Sequence, residues 1–484
     1  MTSNPFTTSL RTTWLRSWTL AGLAAMLGVA GIASVGELGT IALVGTILVG
    51  IVTALAILRD PVRGLWLILF FLPFERIPSL DVGGITVRIN FFLGAVTLVA
   101  WALLWLRERR RLAPNPIRLP AYLLAGAILL SATLALEQSR AGLVIVFILF
   151  TASFELVVVN LLTTKDRLRT ALTVLWASAT VVGLFAIYQF VGDVAGLSPS
   201  LTGLRELYTK AIFGFPRVQA FSIEPLYLGN FLLLPISLVA STLFLQVPGW
   251  SRPWRWALLG LLLLILVLTL SRGAYLALAA AGLVILATLP HQTLTPRHIL
   301  ALLAIGLVAL VGAAGFVSRG QGDALARFTS HATVSDFSFG ESTQGRFATY
   351  ETALRAWRTS PWLGIGIGNY GPFDKGYPAG PVDDWPIVNN EYLELLAETG
   401  VIGLGAFLVL ALVLLHRSVV AYRATRDPLL TAALVGVTAA FVGTLIQYNF
   451  FSTLYIIHVW VLVGLLVAVQ NLILIRAADR SNDQ

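Results

Sequence analysis

Three arginines and a group of carboxylates are the side chains in this sequence whose types and settings could do chemistry. Arg217 and Glu224 lie in Phe215-Pro-Arg-Val-Gln-Ala-Phe-Ser-Ile-Glu-Pro225, just ahead of a long apolar run. Arg272 lies in Ser271-Arg-Gly-Ala-Tyr275, which joins two apolar runs with almost no loop. Arg346 and the triplet Asn389-Asn390-Glu391 belong to a longer polar stretch further on. A fixed guanidinium presents parallel N–H donors that match phosphate oxygens, and a carboxylate within reach of a hydroxyl can take its proton. Plainer readings stand beside these. An arginine at a membrane edge can snorkel to the headgroups, whereas one buried in the bilayer is expensive and by default functional. Glu391, Glu394 and Glu398 recur at i, i+3 and i+7 and form one stripe. For Glu394 and Glu398 a solvated or dipole-pairing face is the favoured reading, and for Glu391 it stands level with catalysis.

The elements that must position these side chains are membrane helices. Hydrophobic residues fill 57% of the 484 positions and charged residues only 12%, where a soluble domain carries about 25% charged residues. Apolar runs long enough for a hydrocarbon core of about 30 Å recur near 18–35, 38–58, 61–74, 89–106, 119–136, 141–162, 168–192, 226–246, 255–271, 273–290, 298–317, 396–415, 428–447 and 453–475. They predict an all-α, polytopic bundle of about fourteen transmembrane helices with a large, partly helical extracytoplasmic loop. Its stretches are N-terminal helices over 1–192, central helices with a short outer loop over 193–317, the loop over 318–395, and C-terminal helices with a tail over 396–484. The first run shows no small-residue cleavage site and is read as retained.

Charge sets the expected orientation. Most of the 33 basic residues fall in alternate connections, such as Arg59 and Arg63, Arg107 to Arg118, Lys165 to Arg169, and Arg417 to Arg426. By the positive-inside rule those connections and both termini are cytoplasmic. The net charge of +9 is therefore a topological signature and not a nucleic-acid patch. The arginines of 193–225 and 318–395 lie in long outer loops, which escape that rule. Glu155, toward the inner face, has no partner evident in the sequence. The chain has no cysteine and only five histidines, which excludes disulfides and thiol catalysis and gives no zinc-ligand spacing. His331 belongs to no motif and reads as solvated.

The longer loop is organised. From Gln344 to Ser360, Phe347, Tyr350, Leu354 and Trp357 recur at helical spacing, with Glu351 and Arg355 a supportive pair, and Pro361 ends the run. This predicts an amphipathic helix that lies on the membrane or caps a cavity. Gly366, Gly368 and Gly371 match G-x-G-x-x-G, but a helix precedes them where a dinucleotide fold needs a strand. They are read as a tight turn. Asn390 is a candidate N-cap, with Glu391 in the first turn after it.

Taken in order, FPRVQAFSIEPLYLGNF, SRGAYLAL, GRFATYETALRAWRTSPWLGIGIGNY and NNEYLELLAETGVIGL resemble the O-antigen ligase/polymerase superfamily, over roughly residues 180–465. The resemblance implies a glycosyltransferase of the bacterial inner membrane that acts outside the cytoplasm. Its donor would be a polyprenyl-diphosphate-linked glycan and its acceptor a glycan or lipid. It would work among membrane lipids with no nucleotide sugar, cofactor, required metal or nucleic acid. Carried over by motif, Arg217 and Arg272 would bind the diphosphate with help from Arg346, and Asn389 and Asn390 would meet the acceptor. The ligases resemble a His-Asn pattern where this chain has Asn389-Asn390. Asparagine is no base, so Glu224 or Glu391 is the catalytic candidate, with Glu224 preferred. The departure favours a polymerase or another glycan transfer. The alternative is an anion (bicarbonate-like) transporter, for which no inverted repeat is visible.

Overall fold

The computed structural model describes residues 39–77, 79–82, 85–109, 111–288, 341–376, 386–452 and 454–482. The expected spans 18–35 and 298–317, and His331, lie outside those residues. The chain divides into two compact units, Met1–Arg110 and Arg111–Gln484.

The first unit holds α1 (Gly39–Arg59), α2 (Pro61–Phe71), the strands β1 (Ser79–Val82) and β2 (Ile85–Arg88), and α3 (Ile89–Glu108). The strands form one antiparallel hairpin, with Ser79 opposite Arg88 and Val82 opposite Ile85. This hairpin is the one departure from all-α regular structure among the described residues. Alternation over 79–88 is too short to stand out between two apolar runs.

The second unit carries every candidate site residue. Its long helices are α4 (Arg118–Ala132), α5 (Gln138–Leu161), α6 (Lys165–Val194), α7 (Pro225–Phe244), α8 (Arg252–Leu268) and α9 (Arg272–Thr288). After them come α10 (Glu341–Thr359), the short α11 (Tyr370–Asp374), α12 (Glu391–Ala424), α13 (Pro428–Gln447) and α14 (Ile457–Asn482). Local signals set several starts. Asp427 accepts the amides of Leu429 and Leu430 while Pro428 fills N1, Thr164 accepts from Arg167, and Pro225 opens α7.

Seven helices among the described residues are long and apolar enough to cross a membrane: α3, α5, α6, α7, α12, α13 and α14. Shorter apolar helices include α2, α4 and α9. The bundle has a centre and a rim. The apolar window of α14 is 94% buried and that of α7 89%, against 39% for α5. The rim faces are apolar, with Leu123, Leu143, Val146 and Leu184 each more than half exposed. Such a surface is stable against lipid and not against water. At the centre, glycines let backbones close up. A side chain at Gly436 would meet the Leu238 Cα at 2.9 Å, and one at Gly443 the Ala277 carbonyl at 2.9 Å.

Polar contacts sort the connections into two ends. At one, Lys165 bonds to Asp427, and Asn471 joins Arg417 to the Pro114 carbonyl. Glu155 has its partner near there: Asn115 Nδ2 reaches both carboxylate oxygens, at 3.1 and 3.2 Å. At the other end lie 133–137, 195–224, 269–271, 341–376, 386–390, 448–452 and 454–456, tied by Asn369 to Glu137 and by Tyr350 to Asn449. All the candidate residues gather at this second end.

Candidate active site

Arg217 is fixed before any ligand arrives. Its backbone N–H donates to the Tyr208 carbonyl at 2.9 Å. Its Nε and Nη2 donate to the carbonyls of Thr269 and Leu270, at 3.3 and 3.5 Å. The guanidinium also stands over the Tyr208 ring, 5.6 Å from the centroid. Those carbonyls belong to the turn between α8 and α9, and Arg272 begins α9 two residues later. Burial is the main cause that lowers the Arg217 pKa, and the charge of Arg272 adds to it against Tyr208, Tyr275 and Glu224. Arg346 on α10 is affected alike: burial comes first, Tyr350 opposes it, and Arg272 again lowers the value. Arg272 is thus felt by both other arginines. Three cations from separate elements act on one another here, with Glu224 the carboxylate that acts on Arg217.

Glu224 stands at the edge of this group. It is the N-cap residue of α7, with no side-chain cap bond, and its carboxylate lies 3.9 Å from Arg205. Its charge and hydrogen bond act on Tyr208, whose phenol is pushed up to about 12, first by burial and then by Glu224. The Glu224 side chain is 41% exposed. It is therefore open to an incoming group. Beside it Pro199, Ser200, Leu204, Arg205, Glu206, Leu207 and Ile212 line a hollow of about 700 Å³.

Backbone strain collects here. Among the described residues the non-glycine positions with positive φ are Arg109, Ala220, Gln246, Leu270 and Asn389. Three belong to this site: Ala220 between Arg217 and Glu224 (φ 46°), Leu270 ahead of Arg272 (φ 51°), and Asn389 itself (φ 57°). Each left-handed residue costs about 1–2 kcal/mol. Such strain persists only where the surroundings over-determine it. At Ala220 the Gln189 side chain does so, accepting its N–H at 2.8 Å and donating to its carbonyl at 3.3 Å.

In the glutamate stripe of α12, Glu391 and Glu398 are buried and Glu394 is half-buried, which corrects the solvated reading. Glu391 is 3% exposed and accepts the Leu454 N–H at 3.1 Å. Glu394 accepts the Val388 N–H at 3.1 Å. Glu398, 4% exposed, accepts from Gly368 at 2.7 Å and Tyr370 at 2.9 Å. Each carboxylate therefore holds a different loop against one helix. Arg140 faces the same group, its Nε donating to the Gly368 carbonyl at 2.5 Å.

The glycine run is a turn, as expected, and it has a definite task. Gly400 breaks α12 with φ 66° and ψ −167°. The amides of Ile365 and Gly366 bond to the Ala397 and Glu398 carbonyls, at 2.9 and 3.1 Å, and Val401 N–H bonds to the Pro361 carbonyl. A side chain at Gly364 would strike the Glu398 backbone at 2.3 Å, so only glycine fits where the turn docks into the break.

Helix α10 appears where its periodicity put it, but with a different inner face. Ala353 and Ala356 are buried with Tyr370, Val388 and Ala397, whereas Phe347 is 62% exposed. Small residues let α10 approach the start of α12 closely, which leaves Phe347 outward while Tyr350 packs at the edge of the cluster. Asn390 caps α12 as expected, accepting from Leu393 at 3.0 Å. Its Nδ2 also reaches the Asn449 carbonyl, which Tyr350 Oη bonds at 3.0 Å. Arg217, Glu224, Arg272 and Arg346 thus form one group, and segment 448–456 joins Asn390 and Glu391 to it. Sequence reading missed Arg205, Tyr208, Arg140 and Phe450, none of which stands in a spacing that signals chemistry.

Residues 257–408 match the family model described as O-antigen ligase. The match spans Arg272, Arg346 and Asn389 to Glu391, with Arg217 and Glu224 upstream of it, and it supports the O-antigen ligase/polymerase superfamily for this chain. With the apolar helices it is consistent with a membrane glycosyltransferase of polysaccharide biosynthesis. No curated protein matches the chain.

Proposed function

We propose that the protein transfers or polymerises glycan outside the cytoplasm, from a polyprenyl-diphosphate-linked donor to a glycan or lipid acceptor, without a metal. The observation that carries the reading is the convergence of Arg217 and Arg346 on Arg272 in a chain that resembles O-antigen ligases. The acceptor oxygen attacks the anomeric carbon, and the bond from that carbon to the diphosphate oxygen breaks. The electron pair leaves with the diphosphate, where the three guanidiniums stabilise it. Glu224 takes the acceptor proton. Asn389 and Asn390 bind the acceptor, and Glu391 holds Leu454 beside them. The site end of the bundle is extracytoplasmic in this reading, and both termini are cytoplasmic in the inner membrane.

The comparison lends no support to the anion-transporter alternative. Purified protein given a lipid-linked oligosaccharide and chelator, with no nucleotide, should yield transferred or elongated glycan. Anion flux into proteoliposomes with no glycan product would refute the reading.

A further inference from the structure

Segment 448–456 does more than connect α13 to α14. Its described residues, 448–452 and 454–456, are anchored at three points: Asn449 accepts from Tyr350 and Asn390, Phe450 N–H donates to the Gln447 carbonyl at 2.8 Å, and Glu391 holds Leu454. Between those anchors the Phe450 side chain meets two arginine-bearing elements. A Cβ built on Gly273 would lie 2.9 Å from the Phe450 Cβ and 3.0 Å from its ring carbons. The ring therefore lies directly on the first turn of α9, at the residue after Arg272. The Arg346 guanidinium stands 5.8 Å from the centroid of the same ring.

We propose that Phe450 is a positioning residue, a wedge between the Arg272 turn and Arg346 that holds the two guanidiniums in register for one diphosphate. The inference rests on the transferase reading above. Its physical basis is that Arg272 and Arg346 act on one another as like charges. A long arginine left to itself would swing toward solvent. An aromatic face attracts a guanidinium through its quadrupole without occupying the N–H donors needed for phosphate oxygens. The ring thus offsets the repulsion without using the Arg346 donors. Gly273 belongs to the same device, because any side chain there would displace the ring.

The test uses the purified full chain and a synthetic polyprenyl-diphosphate-linked disaccharide, with donor KM and kcat measured separately and a thermal melt for each variant. Phe450→Leu keeps apolar bulk and removes the aromatic face, so it should raise donor KM by about 3- to 30-fold, the scale of a lost cation–π contact. Its kcat/KM should fall at least as far, because the same guanidiniums stabilise the leaving diphosphate. Phe450→Trp should restore the KM, a rescue that simple packing would not show. Gly273→Ala should reproduce the KM effect by moving the ring, and it stands in should Phe450→Leu fail to fold. Wild-type KM in Phe450→Leu, or a Trp variant as weak as Leu, overturns the inference alone provided that Arg272→Ala and Arg346→Ala are impaired. Wild-type KM in all of them removes the transferase assignment of the arginines as well.

Discussion

The Arg217 guanidinium lies over the ring of Tyr208, and the same Tyr208 accepts the Arg217 backbone N–H at 2.9 Å. One residue thus fixes both the root and the head of this arginine. In the proposed reaction such fixing removes the reorganisation that a mobile charge would need. Arg217→Ala and Arg272→Ala should each abolish transfer while the protein still folds. Arg→Lys should rescue poorly, since an ammonium lacks the planar fork. Glycan product assayed from equal amounts of folded protein checks this, and full activity of Arg272→Ala would show that it only snorkels.

Glu224 and Glu391 should separate by kinetics. Glu224→Gln removes a proton acceptor from an accessible carboxylate, and turnover should fall by about two to four orders of magnitude. Glu391→Gln keeps an oxygen for the Leu454 N–H and should act mainly on the KM for acceptor. Steady-state kinetics with varied acceptor distinguish them; full turnover in Glu224→Gln would move the base elsewhere.

Glu398 should matter to stability before it matters to chemistry. Its carboxylate receives two backbone N–H groups of the glycine turn, Gly368 and Tyr370. Glu398→Ala strands both and should cost on the order of 3 kcal/mol. Thermal unfolding in detergent reads the loss. A melt unchanged by Glu398→Ala would mean that the turn is held by the Ile365 and Gly366 bonds alone.

At the opposite end, Lys165 and Asp427 give a pH dependence with a fixed sign. Burial raises the Asp427 pKa, but the Lys165 ammonium and the amides of Leu430 and Leu429 outweigh it and hold the carboxyl below its ordinary value. A group depressed in the folded state stabilises above its unfolded pKa of about 3.9 and loses that contribution as pH falls through the folded value. The pair is about a third exposed, which limits its share to about 1 kcal/mol. Asp427→Asn should therefore lower the melting temperature at pH 7 and leave it nearly unchanged well below pH 4. Melts across that range decide it; a larger difference in acid would reverse the sign.

What the sequence reveals follows from the range of the forces involved. The span expected at 428–447 has the bounds of α13, because Asp427-Pro428 is a local start signal beside a long apolar run. The Asn390 cap and the bend at the glycines are legible for the same reason. The glutamate stripe misleads because its partners, Gly368, Val388 and Leu454, are loop amides that carry no side-chain signature. Helix α10 misleads differently: periodicity finds the helix, but its buried face is chosen by how close Ala353 and Ala356 let it come to its neighbours. Arg217, Arg272 and Arg346 can be picked out singly, while their convergence depends on tertiary packing. Phe450 gives no signal at all, being one more aromatic in Tyr448-Asn-Phe-Phe451.

The central claim is that Arg217, Arg272 and Arg346 together hold one diphosphate, and a density map of the protein with bound polyprenyl diphosphate tests it most directly. The account predicts headgroup density within hydrogen-bond reach of all three guanidiniums, with the first isoprene units leaving toward lipid. Headgroup density held instead by Arg140 beside the α12 glutamates, with the three arginines turned away from it, would contradict the account.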